Sequence, residues 1–355
     1  MTERISFDEY LSAIRKAEPA SASLCDTLSA IALAVTEIGQ RIALGTLVGR
    51  MGDITGTNSD GDVQKALDLF GHNKVMATLA GAPVSEIASE ESEEITIIDA
   101  KAPLAVAIDP VDGSSNIDTN LSIGTIFSVR PTGCPGLPGL RSFGGNGMSQ
   151  KAAGFAVYGP QTSLVLTLGA GVDVFTLDRR QRGGAGAFVL TRSGVRIPQG
   201  NHEFAVNASN QRHWGQPVRT YIDDCREGAE GVRGRDFNMR WPACLVADAF
   251  RILVRGGIYL YPADRRPGYG SGRLRLIYEG APIALLMEQA GGRASTGRER
   301  ILEVEAETLH QRVPLIFGAA DEVDRVDRLH CFPEPRTETP PLFHQRGLML
   351  GTGNA

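Results

Sequence analysis

The apolar run Leu104-Ala105-Val106-Ala107-Ile108 leads straight into Asp109-Pro110-Val111-Asp112-Gly113-Ser114-Ser115. The first five residues read as a buried strand. At its end stand two carboxylates three positions apart, with Pro110 stiffening the chain between them. Both can ligate a hard cation through oxygen. Gly113 lets the backbone approach a ligand closely, and the amides of Gly113, Ser114 and Ser115 can face a phosphate if a helix begins there.

A second acidic cluster, Ala88-Ser89-Glu90-Glu91-Ser92, follows another apolar segment. By itself it reads as a solvated acidic turn as well as a ligand pair. Phosphate-ester hydrolysis would use both clusters. The uncatalysed reaction is among the slowest known. Two metal ions about 4 Å apart stabilise its attacking and leaving oxygens together. Carboxylate and carbonyl ligands without His or Cys select magnesium or manganese over zinc.

Around these clusters the chain reads as mixed α and β. Leu28, Ile31, Ala32, Val35, Ile38 and Ile42 form an apolar stripe at helical spacing within a helical region from Phe7 to Leu47. Gly49 to Gly61 is rich in Gly, Thr, Asn and Asp and reads as a loop able to move, followed by a helix over 63–80. Short strands are expected at 84–87, 95–98, 104–108, 123–129, 155–158, 163–168, 174–177 and 187–190, with a surface loop over 131–147. A second half adds strands at 204–206, 258–261 and 315–317 and helices at 244–254 and 281–290. Without strict βαβ alternation, the pattern favours an α+β fold in αβαβα layers with two α/β halves. The expected division is residues 1–197, 198–332, and a proline-rich, flexible tail over 333–355.

Composition narrows the function. The 355 residues carry 42% apolar and 22% charged side chains and a net charge of -5. That balance is globular and gives no field to attract nucleic acid or an anionic membrane. No uninterrupted apolar run approaches about 18 residues, and the polar start lacks the features of a signal peptide, so a cytoplasmic protein is expected. The five cysteines form no C-x-x-C pair, which points to small buried residues or idle thiols. Gly268-Tyr269-Gly270-Ser271-Gly272 has glycines like those of a dinucleotide loop but precedes a strand-like segment, not a helix, and is rejected as one.

The motifs in order resemble class I fructose-1,6-bisphosphatase of bacterial type. Asp109-Pro-Val-Asp112-Gly-Ser is shared with the wider lithium-sensitive phosphatase superfamily. Ser114-Ser115-Asn116-Ile117-Asp118, Ser122 to Phe127, and Gly272 to Glu279 followed by Pro282-Ile283-Ala284 are narrower. The resemblance implies hydrolysis of the 1-phosphate of fructose 1,6-bisphosphate, in gluconeogenesis or the Calvin cycle. The alternative is a dual enzyme that also takes sedoheptulose 1,7-bisphosphate. A non-catalytic metabolite sensor would have no need of the full carboxylate set.

The resemblance also implies the site. Glu90, Glu91, Asp109, Asp112, Glu279 and the Val111 carbonyl would hold Mg2+, with Mn2+ able to substitute. Asp62 and Asp68 match the mobile-loop region, and Asp68 with Glu91 would form the proton-accepting network. Asp112, Gly113, Ser114, Ser115 and Arg275 would meet the leaving phosphate, and Arg273, where the family often has Lys, the sugar hydroxyls. Asn207, Arg240 and Tyr261 would hold the distal phosphate, with Arg240 shared across a subunit interface of a homotetramer. Trp241 and Asn210 stand where relatives carry Tyr. At the family's AMP-binding positions the chain reads Ala20-Ser21-Ala22-Ser23 and Pro103-Leu104, so AMP inhibition is expected to be weak or absent. Only Cys134 lies near the chloroplast relatives' regulatory disulfide, so no thioredoxin switch within one subunit is expected.

Overall fold

The computed structural model describes residues 4–57, 63–133 and 140–332. Asp62, Cys134 and the tail expected over 333–355 therefore lie outside the described residues.

Three helices open the chain: α1 (Phe7–Ala17), α2 (Ala22–Leu44) and α3 (Ala66–Leu79). Ser6 and Glu9 form a reciprocal capping box at the start of α1. The stretch Pro19–Val48, which contains α2, is long and apolar enough by composition to cross a bilayer. Reading only for unbroken apolar runs does not register it. Its stripe of Leu28, Ile31, Val35 and Ile38 is buried with α1 and α3 against a sheet. Between α2 and α3 lies a hairpin of β1 (Ile54–Thr57) and β2 (Val63–Lys65). The helix expected from residue 63 thus begins at Ala66, after a short strand.

The large sheet contains β3 (Val84–Ser89), β4 (Thr96–Ile97), β5 (Leu104–Asp112), β6 (Ile123–Pro131), β7 (Ala152–Tyr158), β8 (Thr162–Thr167), β9 (Asp173–Asp178) and β10 (Ala187–Arg192). Its order is β10-β9-β8-β7-β6-β5-β3-β4. Only β3 and β5 pair in parallel; the other ladders are antiparallel. Along β5 the side chains alternate between faces. Leu104, Val106 and Ile108 meet α1–α3, while Ala105 and Ala107 face the opposite way.

The second sheet has the order β12-β11-β13-β17-β15, from β11 (Glu203–Ala205), β12 (Asn238–Met239), β13 (Ile258–Tyr261), β15 (Gly292–Ser295) and β17 (Leu315–Ala319). A small ladder joins β14 (Leu274–Arg275) to β16 (Arg312–Val313). The helices here are α4 (Gln216–Glu227), α5 (Leu245–Arg255), α6 (Ala281–Gln289) and α7 (Ala320–Cys331). Leu245, Val246 and Ile252 of α5 and Ile283, Leu286 and Met287 of α6 share one core with Ala105 and Phe155 of the first sheet and Tyr259 and Phe317 of the second. On the far face, Ile258, Leu260 and Ile316 pack with Tyr221 of α4 and Val323 and Val326 of α7. The succession is therefore α1–α3, sheet, α5 and α6, sheet, α4 and α7, as the αβαβα reading expects.

Three local expectations are corrected. β5 continues to Asp112 instead of ending at Ile108, because a register shift between Asp109 and Asp112 absorbs Pro110, which has no N–H to give the ladder. The end of the loop expected over 131–147 is not surface: Leu140 and Phe143 are core residues, and Arg141 pairs with buried Glu86. Helices α4 and α7 were not anticipated; both are mostly polar in sequence and bury one face.

Candidate active site

The ends of β3 and β5, the start of α3, the start of α5 and the turn before α6 converge. Asp109, Asp112 and Glu279 each offer an oxygen within 4.8 Å of the others, and all three are buried. Each is fixed by the backbone. Asp109 Oδ1 accepts the Val111 N–H at 2.9 Å. Asp112 Oδ2 accepts the Val246 N–H of the first turn of α5 at 2.9 Å, with the Cys244 thiol at 3.2 Å. A carboxylate from one strand thus sits on the positive end of a helix from the other half. Glu279 lies in a π-helical turn, Leu276–Gly280, that runs into α6, and its Oε2 accepts the Arg275 N–H at 2.6 Å.

Burial and mutual repulsion shape the electrostatics. Burial first, then the charges of Glu90, Asp112 and Glu279, push Asp109 well above the usual carboxylate range. Burial and the Glu90 and Asp112 charges do the same to Glu279. Burial also raises Asp112, against the pull of its helix amides. Glu90, hydrogen-bonded to Asp109 and 3.9 Å from the Arg275 guanidinium, is pushed up to about 7 chiefly by burial. Like charges crowded in a dry site stay ionised at modest cost only with a cation among them. The donors are all oxygens, so the set suits a hard divalent cation.

The other expected ligand, Glu91, turns toward the hairpin, where its Oε2 accepts from Gln64 of β2. The Val111 carbonyl is 3.1 Å from the Ser114 hydroxyl. Asp68, in the first turn of α3, is buried; it accepts the Lys65 N–H and the Ser114 hydroxyl, each at 2.7 Å. Burial raises its pKa, and both hydrogen bonds oppose the shift. α3 approaches β5 closely at Gly71, where a Cβ would stand 2.9 Å from Val111 Cγ2.

Gly113 is left-handed, with φ of 82°, and begins a 3-10 helix, Ser114–Thr119. The opening amides of such a turn have no intrahelical acceptor. Ser115 is exposed, whereas Asn116 is buried and donates to the Ser122 and Pro242 carbonyls at 3.1 and 2.9 Å. That pair ties the turn to the segment before α5. Buried Arg275 faces Glu90 from β14, and half-buried Arg273 precedes it.

The distal residues stand apart from the carboxylates. Asn207 and Tyr261 line one small pocket with Asn210 and Trp214. Within this chain Arg240 does not line that pocket. Its half-exposed side chain contacts Glu203, which also gathers Arg251 and Arg255. Trp241 stacks on Tyr259 at 5.7 Å. Cys244 is a small buried residue, as expected, and its thiol also touches Asp112. Neither that contact nor the Gln64–Glu91 and Lys65–Asp118 bonds was foreseen.

Comparison with known proteins agrees with this arrangement. Residues 10–193 match the profile described as fructose-1-6-bisphosphatase, N-terminal domain, and residues 197–331 the profile of its C-terminal domain. A fructose-1,6-bisphosphatase class 1 from Rhodopseudomonas palustris is 54% identical over 90% of this chain and 91% of its own length. One from Bradyrhizobium diazoefficiens is 52% identical over 98% of this chain and 99% of its own. The crystal structure of Leishmania major fructose-1,6-bisphosphatase in holo form superposes with a TM-score of 0.83 at 34% identity, covering 93% of this chain and 99% of that one. Identity and coverage at these levels extend across both sheets and every layer between them, and on that ground the chain belongs to the fructose-1,6-bisphosphatase family.

Proposed function

We propose that this protein hydrolyses D-fructose 1,6-bisphosphate to fructose 6-phosphate and phosphate. The convergence of Asp109, Asp112 and Glu279 within 4.8 Å carries the reading. Water adds to the 1-phosphorus, the bond from that phosphorus to the sugar oxygen breaks, and a proton returns to the departing alkoxide. The relatives' names specify fructose 1,6-bisphosphate, so the dual-substrate alternative is not favoured.

The oxygen donors fit Mg2+, with Mn2+ as a substitute. Glu90, Glu91, Asp109, Asp112, Glu279 and the Val111 carbonyl are its proposed holders. Bound there, such ions neutralise phosphoryl oxygens and make water a better nucleophile. The chain's own residues supply the rest. Gly113, Ser114 and Ser115 cradle the 1-phosphate and Arg275 matches its charge. Asp68, poised by Ser114, accepts the proton of the attacking water with Glu91. Asp62 is assigned with them by family resemblance alone.

Asn207 and Tyr261 hold the distal phosphate, and Arg240 is supplied by a neighbouring subunit of a homotetramer. The half-exposed Arg240 side chain supports sharing, because it lies outside its own chain's pocket. A cytoplasmic location and weak AMP inhibition belong to the same proposal; strong inhibition at micromolar AMP would sink the latter. The central test is phosphate release with Mg2+ from fructose 1,6-bisphosphate, sedoheptulose 1,7-bisphosphate and inositol 1-phosphate. Clear preference for the first is expected. Faster release from inositol 1-phosphate would overturn the substrate assignment.

A further inference from the structure

The glycine-rich run rejected above as a dinucleotide loop is built around one side chain. Tyr269 is half-buried, with two guanidinium groups over its ring. Arg266 Cζ is 4.0 Å from the ring centroid and Arg273 Cζ is 4.8 Å from it. Arg273 Nη1 also donates to the Tyr269 hydroxyl. The backbone closes on the same residue: the Tyr269 carbonyl accepts the Asp264 and Gly272 N–H groups at 3.1 and 3.0 Å, and its own N–H donates to the Arg266 carbonyl at 3.0 Å. Gly268 and Gly272, with φ of 79° and 83°, provide the left-handed turns on either side.

Arg266 is paired with Asp264. Asp264 accepts Arg266 Nε at 3.0 Å and the Arg266 N–H at 2.9 Å. That pairing holds the Asp264 carboxyl below the usual range. The loop is pinned at its far end as well. Asp264 bridges to Trp214, and the Arg265 N–H donates to the His213 carbonyl at 3.1 Å. Trp214 and Asp264 line the pocket that contains Asn207 and Tyr261.

We propose that Tyr269 is a positioning residue: its ring and hydroxyl hold the Arg273 guanidinium in the orientation that meets the sugar end of the substrate. This rests on the function proposed above, in which Arg273 contacts the sugar. An arginine stem has many rotamers, and stacking on a pinned ring removes much of that freedom before substrate arrives. The benefit belongs to binding rather than to the phosphoryl step, because Tyr269 touches none of the carboxylates that assemble the proposed metal site.

The test is a double-mutant cycle on the full chain with Mg2+ and fructose 1,6-bisphosphate. Tyr269→Leu should raise KM about fivefold and leave kcat within about twofold. Tyr269→Phe, which keeps the ring, should raise KM about twofold. In an Arg273→Ala background, neither change should raise KM further. An unchanged KM in Tyr269→Leu overturns the proposal. So does the same KM increase in the Arg273→Ala background, which would make the ring act independently of Arg273. If the leucine variant melts early, the phenylalanine variant in both backgrounds decides the matter. A wild-type chain that releases no phosphate from the bisphosphate refutes the function and this inference together. An active wild type with a flat KM series refutes only the inference.

Discussion

The two ends of the proposed substrate site are built by opposite means. At the carboxylate end, Asp109, Asp112 and Glu279 are buried and each is gripped by a main-chain N–H. Toward the proposed sugar and distal-phosphate end, Arg240 and Arg273 sit on connecting segments and donate to other side chains, Glu203 and Tyr269. A main-chain grip shares the rigidity of the sheet, while a side-chain grip is as firm as its weakest rotamer. Chemistry is therefore assigned to the stiff end and recognition to the adaptable one, and substitutions at the two ends should change different kinetic constants.

The largest effect is expected from Asp112→Asn. It keeps an acceptor for the Val246 N–H but removes a ligand charge. Phosphate release should fall by about 1000-fold or more, with a melting temperature close to wild type. Residual activity above a tenth of wild type would remove Asp112 from the metal set. Ser114→Ala comes next. It deletes the donor to Asp68, and kcat should drop about 10- to 30-fold with KM little changed. The hydroxyl also opposes the raised Asp68 pKa, so the acidic limb of the pH–rate profile should move upward in that variant.

At the distal end, Arg240→Ala should raise KM about tenfold while kcat stays within about threefold. A fall in kcat alone would erase the contrast between the two ends. The smallest effect is on stability. Glu90 is held near 7, above its ordinary 4.5. Between those values the folded form binds more protons than the unfolded chain, so its contribution to stability is lost as pH rises. Metal-free protein should melt about 3–5 °C lower at pH 8 than at pH 5.5. Added Mg2+ should shrink that difference, and a slope of opposite sign would contradict the crowding of the carboxylates.

The same contrast governs what could be read in the sequence. The spacing of Asp109 and Asp112 after an apolar strand was legible because local chemistry fixes it, and the order of elements gave the layers. Glu279 was available only through resemblance, since nothing local announces that a π-helical turn aims it at β5. The bond from Asp112 to the start of α5 joins residues far apart in the chain, and no periodicity encodes it. The strand expected to end at Ile108 in fact continues through a register shift at Pro110. Helices α4 and α7 were hidden by polar composition, because single buried stripes on charged helices resemble surface loops. Tyr269 was passed over because its glycine neighbours suggested a motif that the following strand excluded.

Gly71 is in effect a gasket of zero thickness. The gap between α3 and the end of β5 has no room for a methyl group, since a Cβ there would come within 2.9 Å of Val111 and 3.3 Å of Pro110. The smallest side chain would wedge the helix outward, and Asp68, three residues earlier on the same helix, would move with it away from Ser114. The clearance between Asp68, the proposed proton acceptor, and Ser114 of the proposed phosphate cradle is thus set by a residue that contributes no side chain to either.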